Sequence, residues 1–423
     1  MLSFLLKGLI RDRNRSFFPI IIIFMGVMVS TLMYSYLNGF MSDLISTNAV
    51  FETGHVKIMT NAYKKISNQM PNDFGLVNVS SLLEDLKKEH PDIDFSPRIK
   101  FGGLLDFPDE KGETRDQGPV VGVAMDLFNP SSNELKRLNI SKALVKGKLP
   151  KNRGEILITE KFREKMKANI GDVATLISST ANGSMAIYNF KITGTINFGV
   201  EVMDRGALIA DISDVQSALY MDDGAGEILG FFKNMLYDDK KAEKLVASFN
   251  NKYSEEEDFS PVMLALKDQN DLGTMLEFYG YSSYLVVLIF LISMSIVLWN
   301  TGLMSGIRRY GEMGVRLAIG ESKTGVYKTL IYESLLIGIV GSIIGTSIGL
   351  GFSYYLQEVG FDISDMVKGS SLLMSNVIRA QITTTSFFIG FIPGLLAVLF
   401  GAMLSGIAIF KRQTSTLFKE LEG

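Results

Sequence analysis

Cysteine is absent from the 423-residue chain, and histidine occurs only at His55 and His90. Without cysteine the chain has no disulfide, no thiolate nucleophile and no cysteine metal site. Two histidines leave little material for histidine-based metal sites or for a catalytic triad. The net charge is -3 and no extended basic run occurs, which argues against nucleic-acid binding. These absences exclude most of the familiar catalytic and metal chemistry.

The sequence also lacks a nucleotide-binding motif. GESKTG at residues 320–325 does not match the G-x-x-x-x-G-K-[ST] phosphate loop, and it predicts a turn that ends a helix. His55 lies in a predicted strand without a partner histidine nearby, which favours a structural role. The carboxylate pairs Asp222–Asp223 and Asp238–Asp239 have no metal or glycosidase spacing, so we interpret them as loop and helix-cap residues. We therefore expect no catalytic residue, metal or cofactor in this chain.

Apolar residues are abundant and are concentrated in four blocks. They make up 47% of the chain, and the mean hydropathy is +0.21. These values are too high for an ordinary soluble domain and too low for a protein made only of membrane helices. Each block is long enough to cross a hydrocarbon core of about 30 Å. The predicted spans cover residues 17–38, 280–305, 329–356 and 385–410.

Between the first two spans, residues 39–279 predict an α+β domain of two lobes. Short β-rich runs bounded by turn residues alternate with helical patterns. The predicted strands lie in residues 54–60, 118–125, 154–159, 171–178, 188–198 and 205–211. The predicted helices lie in residues 80–90, 160–169, 212–220 and 239–251.

Basic residues indicate the orientation in the membrane. Residues 1–16 predict an interfacial amphipathic helix, and the span that follows is longer than the apolar part of a signal peptide. Basic clusters lie in residues 1–16, in residues 306–328 and at the start of residues 411–423. By the positive-inside rule all three are cytoplasmic. The predicted α+β domain and the loop of residues 357–384 are then extracytoplasmic, and both termini are cytoplasmic.

Three features of the spans invite specific interpretations. Gly341, Gly345 and Gly349 form one stripe on the third span, which allows close approach of another helix, either within the chain or from a second copy. Glu333 lies near the predicted cytoplasmic end of this span, where we expect it to reach water. Pro19 falls in the first turn of the first span, and Pro393 predicts a kink in the fourth.

One long stretch of the sequence resembles a known family of membrane proteins. Residues 308–349, RRYGEMGVRLAIGESKTGVYKTLIYESLLIGIVGSIIGTSIG, resemble the R-x-x-E-[IM]-G-[VI]-x-x-A-[IL]-G-[AE]-S motif and the glycine-rich third helix of FtsX-like permeases. These permeases belong to the MacB and lipoprotein-releasing (LolC/LolE-type) ABC systems. Residues 36–44, 146–178 and 191–221 resemble conserved stretches of the lipoprotein-releasing permeases. The resemblance implies four transmembrane α-helices (1 + 3) with a MacB-like periplasmic α+β domain between the first two.

The resemblance also implies a function, that of a mechanotransmission permease. Two permease subunits, identical or homologous, would assemble with an ABC ATPase dimer that binds the ATP and Mg²⁺. ATP-driven closure would push on the cytoplasmic segment 306–328, and the spans would transmit the motion outward. The cargo would be a lipoprotein, extracted from the outer leaflet of the bacterial inner membrane and passed to a periplasmic carrier.

The resemblance assigns roles to individual residues. The ATPase-coupling residues would be Arg309, Glu312, Gly314, Arg316, Ala318, Ile319 and Gly320. The residues that contact the acyl chains of the lipoprotein would be Met33, Leu37, Phe40, Tyr284, Leu288 and Ile292. The stretch 179–188 is too short for the hook that recruits the carrier, so the chain resembles the hookless subunit more closely. The residues after the fourth span also lack the family's usual Y-P-A…P turn.

Two other functions remain open within this family. One is a MacB-like exporter permease that works with an efflux partner. The other is an FtsX-like signalling permease that regulates cell-wall hydrolases, although the domain of residues 39–279 is larger than in such proteins. A membrane-anchored hydrolase is a third alternative, for which the sequence offers no nucleophile–base pair.

Overall fold

The computed structural model of the protein describes residues 13–109, 111–253, 257–308, 315–368 and 373–411. The chain divides into two compact units. The helical unit comprises Met1–Ser42, Glu277–Phe361 and Ile378–Gly423, and the sheet unit comprises Asp43–Leu276 and Asp362–Val377. The predicted amphipathic helix (1–16) and tail (411–423) lie almost entirely outside the described residues.

The described helices are α1 (Arg13–Asn48), α2 (Asn61–Lys65), α3 (Val79–Glu89), α4 (Glu134–Arg137), α5 (Ile140–Ala143), α6 (Glu160–Lys165), α7 (Glu201–Asp204), α8 (Ile212–Leu219), α9 (Asp239–Asn250), α10 (Leu272–Arg308), α11 (Lys323–Glu358), α12 (Ser364–Val367) and α13 (Phe391–Lys411). The described strands are β1 (Val56–Thr60), β2 (Ile93–Pro108), β3 (Thr114–Met125), β4 (Leu144–Gly147), β5 (Glu155–Thr159), β6 (Val173–Ser179), β7 (Met185–Ile196), β8 (Ala207–Asp211), β9 (Glu227–Phe232), β10 (Pro261–Ala265), β11 (Phe361–Asp362) and β12 (Val377–Ile378).

Among the described residues, four helical stretches are long and apolar enough to cross a membrane. They are Phe17–Thr53, Leu272–Val297, Lys323–Glu358 and Thr384–Leu404. Each stretch overlaps one predicted span. The first two helices continue beyond the predicted spans of residues 17–38 and 280–305, because α1 extends to Asn48 and α10 begins at Leu272.

The two proline predictions were wrong, because the helices begin elsewhere. Pro19 lies inside α1, since the described helix already begins at Arg13. There it removes one backbone hydrogen bond from the helix interior. Pro393 lies in the first turn of α13, where a missing N–H leaves the helix intact. The helix begins late because Thr384–Phe387 form a separate 3-10 turn with a capping box between Thr383 and Ser386.

In the helical unit, α1 packs closely against α11 and α13. A methyl group added at Gly345 would lie 2.8 Å from the Phe24 carbonyl oxygen, and one added at Gly394 would lie 2.5 Å from Val27 Cγ2. Such distances show that glycine is what lets the helices approach each other. The core of this packing contains Ile23, Val27, Ile337, Ala397 and Val398.

The sheet unit is built on one sheet of ten strands in the part of the chain that the structure describes. Its order is β10-β1-β9-β2-β3-β8-β5-β7-β4, with β6 paired to both β2 and β7. The neighbours β3–β8 and β5–β7 are parallel and the other pairs are antiparallel.

The long strand β2 explains why the two predicted lobes share a single sheet. Its first half pairs with β9, from Ile93 to Arg98, and the rest pairs with β3 as far as Pro108. Separate apolar cores lie along it, one around Phe101 and Phe107 and another around Phe95. The two halves of the unit therefore have their own cores but a common backbone framework.

Candidate functional site

The segment between α10 and α11 contains the predicted ATPase-coupling residues. Arg309, Glu312 and Gly314 lie outside the described residues. Residues 315–318 form a short helical turn, and Gly320 ends it with φ +100° and an N–H that donates to the Leu317 carbonyl at 3.1 Å. This is the helix-ending turn that the sequence predicts, because glycine adopts positive φ without strain.

One side of this turn is anchored and the other is exposed. Val326, at 2% exposure, packs against Leu317, while Ile319 is 81% exposed. Ala318 and Gly320 are exposed beside it, and Arg316 lies 3.9 Å from the Glu321 carboxylate. The contact between Leu317 and Val326 thus anchors the turn, while the large apolar side chain of Ile319 stays exposed. Such a side chain can fill a pocket of a partner protein.

The predicted lipid-contact residues are distributed over two helices with different surroundings. On α10, Tyr284, Leu288 and Ile292 are exposed by 73%, 53% and 49%. None of the most apolar stretch of α10 is buried inside the protein. The α1 residues are half-buried, and they are Met33, Leu37 and Phe40.

The predicted glycine stripe lies against α1 of the same chain. A methyl group at Gly341 would lie 2.9 Å from Ile23 Cβ, and one at Gly349 would lie 3.0 Å from the Met28 carbonyl oxygen. Glu333 on the same helix is buried, with 5% exposure, so the expectation that it reaches water was wrong. Helix packing inside the unit covers its side chain.

Sequence reasoning missed a cluster of charged side chains inside the sheet unit. It surrounds strand β2, where Arg98 and Lys100 lie two residues apart and therefore on one face. Lys100 Nζ lies 2.7 Å from Glu52 and 2.9 Å from Glu227, and Lys57 Nζ lies 2.9 Å from Glu227. The buried ion cluster, as we call it, comprises Glu52, Lys57, Asp94, Arg98, Lys100, Glu134, Arg137 and Glu227.

Burial sets the ionisation of this cluster. It lowers the pKa of Arg98 to about 10, although the carboxylates of Glu227 and Glu52 act to raise it. Burial also lowers the pKa of Lys57, against the opposing effect of Glu227. For Lys100, burial would lower the pKa, but the attraction of Glu227 and Glu52 is stronger and the pKa rises. Each of these cations has a carboxylate partner, which offsets part of the cost of burying its charge.

His55 lies next to this cluster and has a structural role. Its side chain is buried, and its Nδ1 accepts a hydrogen bond from the Phe232 N–H at 3.0 Å. Burial, followed by the nearby positive charge of Arg137, lowers the pKa of His55 to about 4. Within the described ranges, no group of histidine, aspartate and glutamate side chains could hold a metal ion.

Comparison with known proteins extends the sequence resemblance. Residues 284–414 match the family described as FtsX-like permease C-terminal. The macrolide export ATP-binding/permease protein MacB of Psychrobacter cryohalolentis is 26% identical over 108 residues, which are 26% of this chain and 16% of that protein. The MacB protein of Hyphomonas neptunium is 34% identical over 65 residues, or 15% of this chain and 10% of that protein.

These matches cover small parts of the relatives, because the chain spans 16% or less of the length of the curated proteins it matches. The solved periplasmic region of MacB from Actinobacillus actinomycetemcomitans aligns with 54% of this chain and 97% of that chain. Its TM-score of 0.35 and identity of 12% are too low to establish the fold. The family match over residues 284–414, the MacB similarity and the four apolar helices make the chain similar to the FtsX/MacB-type permeases of ABC transporters.

Proposed function

We propose that the chain is a non-catalytic permease subunit that converts ATP hydrolysis by a partner ATPase dimer into movement of the sheet unit. It lies in the bacterial inner membrane with both termini in the cytoplasm and the sheet unit outside, beside a second permease subunit. The ATPase binds the ATP and Mg²⁺ and contacts residues 306–328. The observation that supports this most is the exposure of Ile319, 81%, on the turn between two apolar helices.

The helices suit this role because they continue into the sheet unit. The last residues of α1, from Asp43 onward, and the first of α10, up to Leu276, belong to that unit. An α-helix has few soft internal degrees of freedom, since each turn is closed by backbone hydrogen bonds. A displacement of one end of such a helix therefore also moves its other end.

We assign a lipoprotein as the cargo. Its acyl chains would lie along the apolar faces of α1 and α10, which include Met33, Leu37 and Phe40 on α1 and Tyr284, Leu288 and Ile292 on α10. The exposure of the α10 residues supports this assignment. Acyl chains associate with such a face because transfer between two apolar surroundings costs little and packing is adaptable.

Export of a small molecule is the second candidate, favoured by the similarity to proteins described as macrolide exporters. Affinity purification of the tagged full chain in detergent, with mass spectrometry of the bound proteins, tests both. A stoichiometric ATPase with acylated lipoproteins supports the first candidate. An ATPase with an efflux partner supports the second, and a wall hydrolase would indicate signalling instead. Absence of any ATPase would contradict the proposal.

A further inference from the structure

The carboxyl end of α1 is built into the sheet unit. After Asn48 the chain makes a π-helical turn, Ala49–Thr53, and then enters β1 through Gly54 at φ +62°. Asn48 Nδ2 donates to the Leu44 carbonyl at 2.8 Å and to the Leu373 carbonyl at 3.1 Å. The helix therefore ends in a defined turn held by side-chain hydrogen bonds.

Two cations of β2 hold this turn from the sheet side. Arg98 Nη1 donates to the Val50 carbonyl at 2.7 Å, and Lys100 Nζ lies 2.7 Å from the Glu52 carboxylate. Lys57 Nζ, on β1, lies 3.7 Å from the same carboxylate. The contacts thus reach both the backbone and the side chains of the turn. Charged donors in such surroundings form short, directional bonds.

The other members of the buried ion cluster fix the two cations in place. Glu134 accepts from Arg98, and Glu227 lies beside Lys100 and in register with Arg98 on the neighbouring strand. Arg98, Lys57 and Glu227 have side chains that are 5% exposed or less. The cluster contains four cations (Lys57, Arg98, Lys100 and Arg137) and four carboxylates (Glu52, Asp94, Glu134 and Glu227), so it is neutral overall.

Stability alone does not explain a cluster of this kind. Apolar side chains of similar size would stabilise a core equally well. The reason is that the free-energy cost of removing the ions from water is about as large as the attraction between them. What ions add is orientation, because each bond tolerates only a narrow range of geometry. In this cluster the bonds from β2 fix the orientation of the carboxyl end of α1 relative to β2.

We propose that Glu52, Arg98 and Lys100 are positioning residues that hold the carboxyl end of α1 and the turn after it in one orientation on the sheet. The inference rests on the proposed function only for the movement of α1 during transport. Loss of this joint would leave the sheet folded but let the end of α1 change its orientation on the sheet.

Spin labels test the joint directly, because a chain without cysteine can be labelled at introduced positions only. Ser46→Cys on α1 and Lys191→Cys on β7 are both exposed sites in the sheet unit. In the full chain in detergent we expect one narrow distance distribution. Glu52→Gln, which keeps the shape and removes the charge, should broaden it.

Glu160→Gln is the matched control. Glu160 pairs with Lys146 at 2.7 Å and with Arg163 at 2.9 Å in the same unit, and neither partner belongs to the buried ion cluster, so the narrow distribution should persist. Lys100→Met removes the same contact from the sheet side and should broaden the distribution in the same way, which covers the case in which Glu52→Gln fails to fold. A folded Glu52→Gln protein with an unchanged distribution would overturn the proposal.

A second readout separates this inference from the proposed function. With the ATPase bound, Glu52→Gln should reduce cargo release about tenfold while ATP hydrolysis stays near the wild-type rate. Glu52→Asp, which restores the charge, should recover part of the release. Equal loss of release and hydrolysis would contradict a positioning role. If the wild-type chain binds no ATPase, the proposed function fails while the spin-label distances still decide the joint.

Discussion

Arg98 and Glu134 form an ion pair with no exposure to solvent. Arg98 Nη2 and Nε donate to the same oxygen of Glu134 at 2.7 Å and 3.0 Å, and both side chains are 0% exposed. The two residues are 36 positions apart in sequence. The pair connects β2 to the short helix α4, where Glu134 also pairs with Arg137 of the buried ion cluster.

Removing one partner of this pair should destabilise the sheet unit strongly. Arg98→Met leaves a buried carboxylate short of a partner, and we expect a loss of about 3–5 kcal/mol in the free energy of unfolding. Arg98→Met with Glu134→Leu should recover part of this loss. Lys65→Met is the control, because the Lys65–Asp258 pair is more than half exposed, and it should cost under about 1 kcal/mol. Denaturant unfolding in detergent measures these values, and a cost for Arg98→Met no larger than the control would contradict the account.

The packing of α1 on α11 predicts a difference between two glycines of the same helix. Gly345→Ala places a methyl group 2.8 Å from the Phe24 carbonyl oxygen, and we expect destabilisation of about 1–3 kcal/mol. Gly351→Ala meets no atom within 4 Å and should be neutral or stabilise by up to about 1 kcal/mol. Thermal unfolding in one detergent compares the two variants. Equal unfolding temperatures would rule out the close contact.

The exposed turn before α11 predicts loss of the partner ATPase from a single substitution. Ile319→Asp places a charge where an apolar side chain would be desolvated on binding. We expect the copurified ATPase to fall at least about tenfold, a change of about 1.4 kcal/mol. Ile187→Asp, at an exposed apolar side chain of the sheet unit, is the matched control. Full retention of the ATPase by Ile319→Asp would show that the contact lies elsewhere.

His55 predicts that the sheet unit loses stability in mild acid. The folded protein holds the pKa of His55 near 4, below its ordinary value of 6.5. As pH falls from 6.5 to about 4, the unfolded chain binds the proton and the folded chain does not, so the free energy of unfolding decreases. The full effect is about 3 kcal/mol at 1.36 kcal/mol per unit.

The control for this pH dependence is His55→Asn, whose side-chain oxygen can still accept the hydrogen bond from the Phe232 N–H. Its unfolding free energy should vary less with pH between about pH 7 and pH 5. Denaturant titrations of both proteins at several pH values measure the slopes. Identical slopes would mean that another group is responsible.

Much of the fold could be predicted from the sequence because the local signals agree with the structure. The predicted strands at 118–125 and 154–159 overlap observed strands, and the predicted helices at 212–220 and 239–251 are within one residue of their observed ends. The carboxylates interpreted as caps are caps. Asp223 accepts from the Ser80 N–H at the start of α3, and Asp238 accepts from the Lys241 N–H at the start of α9.

Strand β2 could not be predicted, and the ion cluster was missed with it. Its sequence, IDFSPRIKFGGLLDFP, contains proline, two glycines and two cations, which depart from an alternation of apolar and polar residues. Arg98 and Lys100 are buried because Glu134 and Glu227 are brought to them by tertiary structure. The only signal in the sequence for this cluster was the spacing of Arg98 and Lys100, two cations at i and i+2 in a segment flanked by apolar residues. Their partners lie too far away in sequence to be recognised.

ATP-dependent release in proteoliposomes tests the central claim most directly. The full chain is reconstituted with its copurifying ATPase, any second permease subunit and a labelled acylated lipoprotein, and release into a soluble fraction is measured with and without ATP. The account predicts release that requires ATP and is lost in Ile319→Asp. ATP hydrolysis by the intact complex without any release of the lipoprotein would contradict the assigned cargo.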